Sequence, residues 1–362
     1  MRFQSVGFKN FRNLENSMVP VDDKRILLIG GNGQGKTSFL EALYLLCYGS
    51  SFKTLNLRDI ITHGHKDFAL SAVVLTDDGS QQRISFSFID GKREILIDGR
   101  EIKDRKYLVY NIPCIVFSHD DIEFVRGTPE HRRRFFDQTM SMHDPLFFDD
   151  LRRYRAILRQ RNAAIKEGYV TLIPLYDEQL ASVGLHIQEA RAKAVVEFNE
   201  VLPSLYKIVS GANEEIRIAY KPSWHDCTHV AEICAKLERT LERDLKLLTT
   251  ASGIHRDQFV VMDSKGIFSA SGSTGQLRLA SLIFRIAQTS LYRQKTGKDP
   301  IVLLDDVLLE LDIAKRELFL AQLGSYSQAF FTFLPEEKYS SELGNGHDIR
   351  YTVTEGRFVQ DA

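Results

Sequence analysis

The sequence has little of several features that mark particular classes of protein. It contains only four cysteines in 362 residues, too few for a disulfide framework, so we expect a reducing compartment, the cytosol. Its 47 lysines and arginines are balanced by 48 acidic residues, and the net charge of -1 excludes a uniformly basic nucleic-acid binder of the histone kind. No segment approaches the roughly 18 consecutive apolar residues of a membrane span. The first residues also lack the apolar core of a signal peptide.

The sequence does have alternating strand and helix patterns near both ends. The length of 362 residues suits two or three compact units, and the composition, 43% hydrophobic and 26% charged, is ordinary for a soluble globular protein. Residues 129–249 interrupt the alternation with mainly helical periodicity. We therefore predict a discontinuous α/β domain, formed by residues 1–128 and 250–362, with an inserted helical lobe at 129–249. The predicted strands cover residues 2–11, 26–29, 69–75, 83–89, 94–97, 114–117, 301–304 and 329–333, and the predicted helices cover 37–46, 277–292 and 313–323.

Two of these regions show a more specific pattern. Asp-Gly pairs at 78–79 and 90–91 separate three short strands, which predicts an antiparallel meander. In the helical lobe, apolar residues recur at steps of three and four from Leu180 to Val201, which predicts one long helix. Because this stripe lasts only about three heptads, a short helical hairpin packed on itself is favoured over an extended coiled-coil arm.

A glycine-rich loop stands between the predicted strand 26–29 and the predicted helix 37–46. It matches the phosphate-binding pattern G-x-x-x-x-G-K-T, and the flanking elements make a chance glycine-rich turn the weaker interpretation. Glycines let backbone N–H groups face a polyphosphate, the helix N-terminus adds positive potential, and the lysine contacts the β and γ phosphates. The motif predicts bound ATP with Mg²⁺, the threonine hydroxyl being a metal ligand. The residues concerned are Gly30, Gly31, Asn32, Gly33, Gln34, Gly35, Lys36, Thr37 and the following Ser38.

A second motif ends in two acids. Four aliphatic residues at 301–304 are followed by Asp305 and Asp306. Because a buried strand of an α/β sheet delivers ligands at its carboxyl end, we predict that Asp305 holds Mg²⁺ and that Asp306 polarises the attacking water, with Lys36 as the other catalytic residue. A capped strand end is the alternative, which the phosphate loop makes less favoured. The lysine and the first acid are 269 residues apart, so a large insertion separates the motifs.

A third motif precedes the predicted helix 277–292. Small residues before a helix form an anion-binding terminus, although a serine that merely caps a core helix would look the same. ABC-type ATPases carry a signature S-x-G-Q shortly before the acidic strand, and this signature closes over the nucleotide of a second subunit. The sequence here has Ser273, Gly275 and Gln276, the last of them 29 residues before Asp305. We therefore predict that these three residues bind the ATP of another copy in an ATP-dependent homodimer.

Several further segments, spread over nearly the whole chain, form a recognisable set. They are F-K-N-F-R-N at 8–13, the phosphate loop through L-E-A at 40–42, S-F-K-T at 51–54, I-I-T-H-G at 60–64, V-F-S-H-D-D at 116–121, G-T-P at 127–129, R-R-R-F-F-D at 132–137, G-I-H-R-D at 253–257 and L-D-D-V at 304–307. Together they resemble the RecF recombination mediators, compact relatives of the SMC-type ABC ATPases. Leu277 and Leu309 depart from that family, which usually has Gln and Ser there.

The resemblance implies a fold and a function. The fold is an ABC-type P-loop ATPase head, a mixed sheet plus an antiparallel meander, with an inserted α-helical lobe. Asn10 and Arg12 would lie beside the nucleotide. An ATP-driven dimer would clamp duplex DNA next to single-strand gaps and assist RecA loading with RecR and RecO, and weak, DNA-stimulated ATP hydrolysis would release it. The alternative is an ABC-type subunit of a transporter, but that class places its signature near the phosphate loop, whereas Lys36 and Ser273 are 237 residues apart.

A local excess of basic residues falls at 131–166, with nine Arg and Lys against four Asp and Glu. Arg152, Arg155 and Arg159 recur at helical steps of three and four. We predict that this face binds DNA phosphates without reading bases, the alternative being a solvated helix surface. The three arginines at 132–134 are instead candidates for structural pairing with acids such as Asp137.

One cluster of metal-ligand residue types also occurs. His225, Cys227, His229 and Cys234 have the spacing H-x-C-x-H-x4-C, which fits no common structural zinc site. We therefore expect ordinary buried cysteines and surface histidines there, and no metal.

Overall fold

The computed structural model describes residues 1–336 and 348–361. Chain contacts divide it into two compact units, the first formed by residues 1–120 and 296–362 and the second by residues 121–295. In chain order, the first part of the first unit contains β1 (Arg2–Lys9), β2 (Ser17–Pro20), β3 (Arg25–Ile29), α1 (Lys36–Tyr48), β4 (Phe68–Leu75), β5 (Gln81–Ile89), β6 (Lys92–Ile97), β7 (Arg100–Glu101), α2 (Lys106–Asn111) and β8 (Cys114–Phe117).

The second unit is mainly helical. It contains α3 (Glu123–Arg126), α4 (Pro129–Ser141), α5 (Pro145–Glu167), α6 (Ile173–Ser210), β9 (Arg217–Lys221), α7 (Val230–Leu247), β10 (Gln258–Asp263), β11 (Gly266–Ile267), α8 (Phe268–Ser271) and α9 (Thr274–Thr296). The chain then returns to the first unit with β12 (Ile301–Leu304), α10 (Ile313–Leu323), β13 (Gln328–Phe333), β14 (Ile349–Thr354) and β15 (Arg357–Gln360). Short 3₁₀ helices lie at Leu57–Ile60, His119–Ile122, Val170–Leu172, Ile254–Arg256 and Val307–Glu310.

A mixed sheet positions the two chemical motifs of the first unit. Its strand order is β15-β14-β3-β13-β12-β8, and every neighbouring pair is parallel except β14 and β15. The central strands β12 and β13 are mainly aliphatic or aromatic and wholly buried, as parallel strands covered on both faces require. Because β3 and β12 run parallel on either side of β13, their carboxyl ends meet at one edge of the sheet. That edge brings together loops that are far apart in sequence.

The second sheet of this unit is the predicted antiparallel meander. Its order is β2-β1-β4-β5-β6-β7, and all its pairs are antiparallel. At the β5–β6 turn, Asp90 and Gly91 both have positive φ, +52° and +77°, as an Asp-Gly hairpin turn demands. Helix α1 is buried on nearly all sides, and Phe39 and Leu43 belong to a core that includes Phe86 of this sheet and Phe330 of the mixed sheet.

The second unit contains the predicted hairpin. Helices α5 and α6 pack along each other, and Tyr154, Leu180 and Ile187 share one apolar core with Trp224. At Gly184 of α6 an added Cβ would lie 2.5 Å from the Trp224 ring, so glycine permits that close approach. A small antiparallel sheet, β11-β10-β9, completes the unit.

The second unit extends further along the chain than the predicted helical lobe. We expected residues 250–362 to return to the ATPase lobe, but residues 250–295 pack within the second unit. Strand β10 pairs with β9 along five residues, and the side chain of Gln288 in α9 donates to Thr139 of α4 at 3.0 Å. Arg285 of α9 also forms a buried ion pair with Asp121, 2.8 Å apart. These contacts join sequence segments that no local pattern connects.

Candidate nucleotide site

The glycine-rich loop joins Ile29, the last residue of β3, to Lys36, the first residue of α1. Geometry favours glycine at three positions of this loop, and one of them is Gly33, with a φ of +77°. An added Cβ at Gly30 would lie 2.4 Å from the carbonyl oxygen of Val353, and Gly35 has a φ of +116°, which favours glycine. The first turn of α1 has no acidic residue and no side-chain cap. Its backbone N–H groups therefore remain available to an anion.

Lys36 is held inside this loop. Its Nζ donates to the carbonyl oxygens of Gly30 at 2.7 Å and Gly31 at 3.1 Å, and the residue is only 3% exposed. Both partners are neutral, so they orient the ammonium group without cancelling its charge. In this arrangement the ammonium group can exchange its carbonyl acceptors for phosphate oxygens when a nucleotide binds.

The asparagine that contacts the loop is Asn13. Its Nδ2 donates to the carbonyl oxygen of Gly33 at 2.9 Å, and its Oδ1 accepts from the Ser38 hydroxyl at 2.9 Å. Sequence reasoning selected Asn10 for this place and overlooked Asn13, although both lie in F-K-N-F-R-N. The signal was the greater distance of Asn13 from the end of β1 at Lys9, which lets its side chain reach a neighbouring loop.

Asn10 and Arg12 have partners within the fold. The Asn10 amide donates to Asp67 at 3.0 Å. Arg12 donates twice to the buried carboxylate of Glu41, at 2.8 Å each, and to the carbonyl oxygen of Asp59 at 2.7 Å. These bonds fasten the end of β1 to α1, and the contact of both residues with a nucleotide stays a prediction.

The middle of the loop is hydrogen-bonded to the β14–β15 turn. The backbone oxygen of Gln34 accepts from the Gly356 amide at 2.8 Å, and its side-chain oxygen accepts from the Glu355 amide at 2.6 Å. Asn32 and Gly33 are exposed at the tip. The loop is thus held at both ends while its tip remains open.

The sheet edge joins the two motifs directly. The Thr37 hydroxyl donates to Oδ1 of Asp305 at 2.8 Å. Burial raises the pKa of Asp305 to about 6 against the opposing bond from Thr37, and the neighbouring charge of Asp306 adds to the rise. A hydroxyl and a carboxylate are hard oxygen donors of the kind that Mg²⁺ combines with phosphate and water ligands. The pair therefore fits the predicted metal.

The raised pKa of Asp305 predicts that ionisation of this side chain lowers the stability of the folded protein. The native state retains a proton on Asp305 at pH values where the unfolded chain has lost it, so the free energy of unfolding falls as pH rises from about 4 to 6. Above that window the folded protein carries a penalty on the order of 2–3 kcal/mol. Asp305→Asn keeps the acceptor for Thr37 without the charge.

We expect the Asp305→Asn variant without nucleotide to melt about 2–6 °C higher than the wild type at pH 7.5. The difference should be about half as large at pH 5, where the folded side chain keeps its proton but the unfolded chain has lost it, and should vanish only below about pH 4. Calorimetric melting of both proteins at both pH values measures this difference. If Asp305→Asn melts no higher than the wild type at pH 7.5, the ionised Asp305 side chain does not destabilise the fold.

Asp306 follows in the left-handed backbone conformation, with φ +55°. Its backbone N–H donates to the Thr332 hydroxyl at 2.7 Å, and that hydroxyl lies 2.7 Å from Oδ1 of Asp306. Sequence reasoning did not select Thr332. Its signal was a single polar residue within the otherwise apolar stretch 329–333 of β13.

The third motif begins α9 and is exposed to solvent. The backbone N–H of Ser273 donates to Oε1 of Gln276 at 2.8 Å, and the N–H of Gln276 donates to the Ser273 hydroxyl at 3.3 Å. This reciprocal pair caps the helix, so the capping interpretation is correct for Ser273. An added Cβ at Gly275 would meet nothing within 4 Å, whereas Leu277 is 6% exposed and belongs to the core. The exposed helix end remains accessible to a second molecule.

The predicted DNA face lies on α5. Arg152, Arg155 and Arg159 are exposed, and Arg155 reaches Asp137 only at 3.8 Å with its side chain 61% exposed. The arginines at 132 and 133 have the predicted structural role, but their partners are carbonyl oxygens, of Gly127 and Asp257, both at 2.7 Å. The carboxylate of Asp137 is instead held by the buried Arg191, at 2.9 Å.

The remaining sequence candidates have ordinary roles. His229 and Glu232 form a capping box at the start of α7, and Cys227 is buried in the core of the second unit. In the described part of the chain, no three His, Cys, Asp or Glu residues are grouped as a metal site would need. Within the same residues, no helix combines the length and apolar character that crossing a bilayer requires.

The family model described as RecF/RecN/SMC N terminal domain matches residues 2–342. The DNA replication and repair protein RecF of Treponema pallidum is 40% identical over 348 residues, covering 96% of this chain and 98% of the relative. The chain belongs to the RecF family of DNA replication and repair proteins. The transporter alternative is thereby removed.

Solved structures agree with RecF membership. The chain is similar to the recombination mediator protein RecF-ATP of the RecFOR pathway, with a TM-score of 0.90, 26% identity and coverage of 100% of this chain and 98% of that one. An Smc head bound to the C-winged helix domain of ScpA has a TM-score of 0.60 at 14% identity, which shows the shared fold alone. The predicted ABC-type head with an inserted helical lobe is confirmed.

Proposed function

We propose that this RecF family member is an ATP-dependent DNA-binding protein of recombinational repair, whose ATP-driven dimer clamps duplex DNA next to single-strand gaps. The observation that carries the proposal is the bond between Thr37 and Asp305, because it joins phosphate loop and acidic strand into one site. The ATP in the similar RecF structure supports the same nucleotide here.

In this proposal the loop amides and Lys36 bind the β and γ phosphates. Thr37 and Asp305 hold Mg²⁺, which neutralises charge on the phosphate oxygens when bound. Asn13 and Ser38 keep the loop in place through the hydrogen bonds described above. The nucleotide is therefore recognised mainly through its phosphates.

Hydrolysis is assigned to Asp306. A water oxygen forms a bond to the γ-phosphorus while the bond from that phosphorus to the β–γ bridging oxygen breaks, and the electron pair leaves with ADP. The water proton passes to the free oxygen of Asp306 and then to the phosphate product. Because aspartate is one methylene shorter than the glutamate usual in fast ABC motors, we expect slow turnover, stimulated by DNA.

The dimer depends on the exposed N-terminus of α9. Ser273, Gly275 and Gln276 would meet the ATP bound to a second copy, where the positive end of the helix dipole favours the γ-phosphate. The open space around Gly275 supports this contact, because nothing within the same unit fills it.

DNA binding is assigned to the exposed arginines of α5, with positive charge from neighbouring segments. Tyr154 of the same helix lies 3.0 Å from Nδ1 of His255, so the loop 253–257 adjoins this helix. The loop carries the exposed Arg256, and Arg133 donates to its Asp257 carbonyl. Burial lowers the pKa of His255 to about 4, and the nearby charges of Arg256 and Arg133 lower it further.

Charge reversal on α5 tests this surface. We expect Arg152→Glu, Arg155→Glu and Arg159→Glu together to weaken binding of gapped duplex at least tenfold and to reduce the salt dependence by about three released counterions. Gel shifts with ATP and Mg²⁺ at several salt concentrations measure both quantities.

The matched control reverses three exposed charges on α7 of the same unit, Arg239, Arg243 and Lys246. This control makes the same change in net charge and should retain wild-type affinity. Unaltered affinity of the α5 variant would place the DNA elsewhere, and equal loss in both variants would reduce the effect to overall charge. Wild-type protein that binds no DNA would contradict the function itself.

The family resemblance supports two partners and a location. We propose RecR and RecO as partners and the loading of RecA at gaps as the outcome, since the similar structure belongs to the RecFOR pathway. All four cysteines are free thiols, as expected for a protein of the reducing cytosol.

A further inference from the structure

We propose that Thr332 is a positioning residue for hydrolysis, which holds the carboxylate of Asp306 where it receives the proton of the attacking water. This inference rests on the proposed function, because it assigns a residue that acts through Asp306. Thr332 lies on β13, the strand between the phosphate-loop strand and the acidic strand. It is 3% exposed, so water does not compete for its hydroxyl.

Two bonds connect these residues in opposite directions. The Asp306 backbone N–H donates to the Thr332 oxygen at 2.7 Å, and the Thr332 hydroxyl donates to Oδ1 of Asp306 at 2.7 Å. One bond fixes the backbone and the other fixes the side chain. Because Oδ1 already accepts this bond and Oδ2 does not, Oδ2 is the oxygen better placed to accept from water.

The backbone of Asp306 needs such support. A residue other than glycine in the left-handed region costs on the order of 1 kcal/mol and persists only when its surroundings hold it there. Asp306 has φ +55° immediately after the last residue of β12. Without the bond to Thr332, the acid could relax to an extended conformation and turn its carboxylate away from the phosphates.

The hydroxyl of Thr332 is not needed for the strand itself. Thr332 pairs with Leu28 through the backbone of the parallel ladder, and its neighbours Phe331 and Phe333 are buried. A buried hydroxyl is costly unless it is bonded, and among residues 1–336 and 348–361 its only acceptor besides Asp306 is the carbonyl oxygen of Leu304, at 3.4 Å. The polar group in this apolar stretch therefore faces the acidic motif alone.

Thr332→Val and Thr332→Ser form the decisive pair of variants. Valine keeps the shape and removes both bonds, whereas serine keeps the hydroxyl. We expect Thr332→Val to lower kcat for ATP hydrolysis about 10- to 100-fold with KM within about twofold of wild type, and Thr332→Ser to restore kcat to within a few-fold. Phosphate release at saturating and limiting ATP measures both parameters.

A double mutant separates positioning from general damage. If Thr332 acts through Asp306, adding Thr332→Val to Asp306→Asn should not lower kcat further. Wild-type kcat in Thr332→Val would overturn the proposal, as would an additive loss in the double mutant or a serine variant as slow as valine. If valine does not fold, Thr332→Ala takes its place in the same comparison. A wild-type protein that binds ATP but never hydrolyses it would instead contradict the proposed function.

Discussion

Replacing Lys36 by alanine is expected to weaken ATP binding by about 100-fold and to abolish the ATP-dependent dimer. The side chain is buried in the phosphate loop and donates hydrogen bonds to two neutral carbonyl oxygens, which leave its charge available to phosphate. Losing one or two charge-assisted hydrogen bonds removes about 3 kcal/mol, which corresponds to roughly two orders of magnitude in affinity. Fluorescent-nucleotide titration measures the affinity and sedimentation velocity measures the dimer.

The control for this variant is Lys24→Ala. Lys24 is exposed and immediately precedes β3, the strand that leads to the phosphate loop. The variant therefore removes one lysine at the end of that strand opposite the loop. It should bind ATP as the wild type does. Wild-type ATP affinity in Lys36→Ala would remove the lysine from the site and with it the assignment of the loop.

Replacing Asp306 by asparagine is expected to slow ATP hydrolysis about 10²- to 10⁴-fold while ATP affinity remains close to wild type. Asparagine tolerates the left-handed backbone and can accept the same bond from Thr332, so the local geometry should survive. What it loses is the capacity to accept the water proton. The variant should therefore accumulate as an ATP-bound dimer.

Asp90→Asn provides the matched control for this change. Asp90 has φ +52° in an exposed turn, so it undergoes the same substitution in the same backbone conformation. That turn lies near the carboxyl end of α1, because Arg93 of the adjoining strand donates to Gly49, whereas the phosphate loop lies at the amino end. Single-turnover phosphate release compares the two variants, and unchanged turnover in Asp306→Asn would exclude it as the proton acceptor.

Much of the first unit could be predicted from local sequence. The bounds of β8, β12 and α10 match the predicted ranges, because short apolar runs and a capping aspartate at 312 define them locally. The phosphate loop was equally evident, since its glycines are required by a backbone that few other residues can adopt. Sequence alone therefore predicts an element and its boundaries when neighbouring residues determine both.

The remaining features depend on contacts between distant segments. The predicted end of the helical lobe at residue 249 was wrong because β10 pairs with β9, which precedes α7 in the chain. Sequence periodicity does not indicate which strands pair with each other. Thr332 became visible only when the sheet order placed β13 beside β12. Asn13 was likewise chosen over Asn10 by the course of the chain after β1 rather than by residue type.

The central claim is that the dimer has two ATP sites, each formed by the phosphate loop of one copy and the N-terminus of α9 of the other. Mixing two inactive variants tests it most directly: Lys36→Ala removes the loop, and Gly275→Glu places bulk and negative charge at an exposed helix N-terminus that tolerates it structurally. A heterodimer of the two has one intact site, built from the wild-type loop of one chain and the wild-type helix end of the other. We predict that the mixture regains dimer formation and ATP hydrolysis that neither variant shows alone. A mixture with no more activity than the sum of its separate components would contradict the shared site.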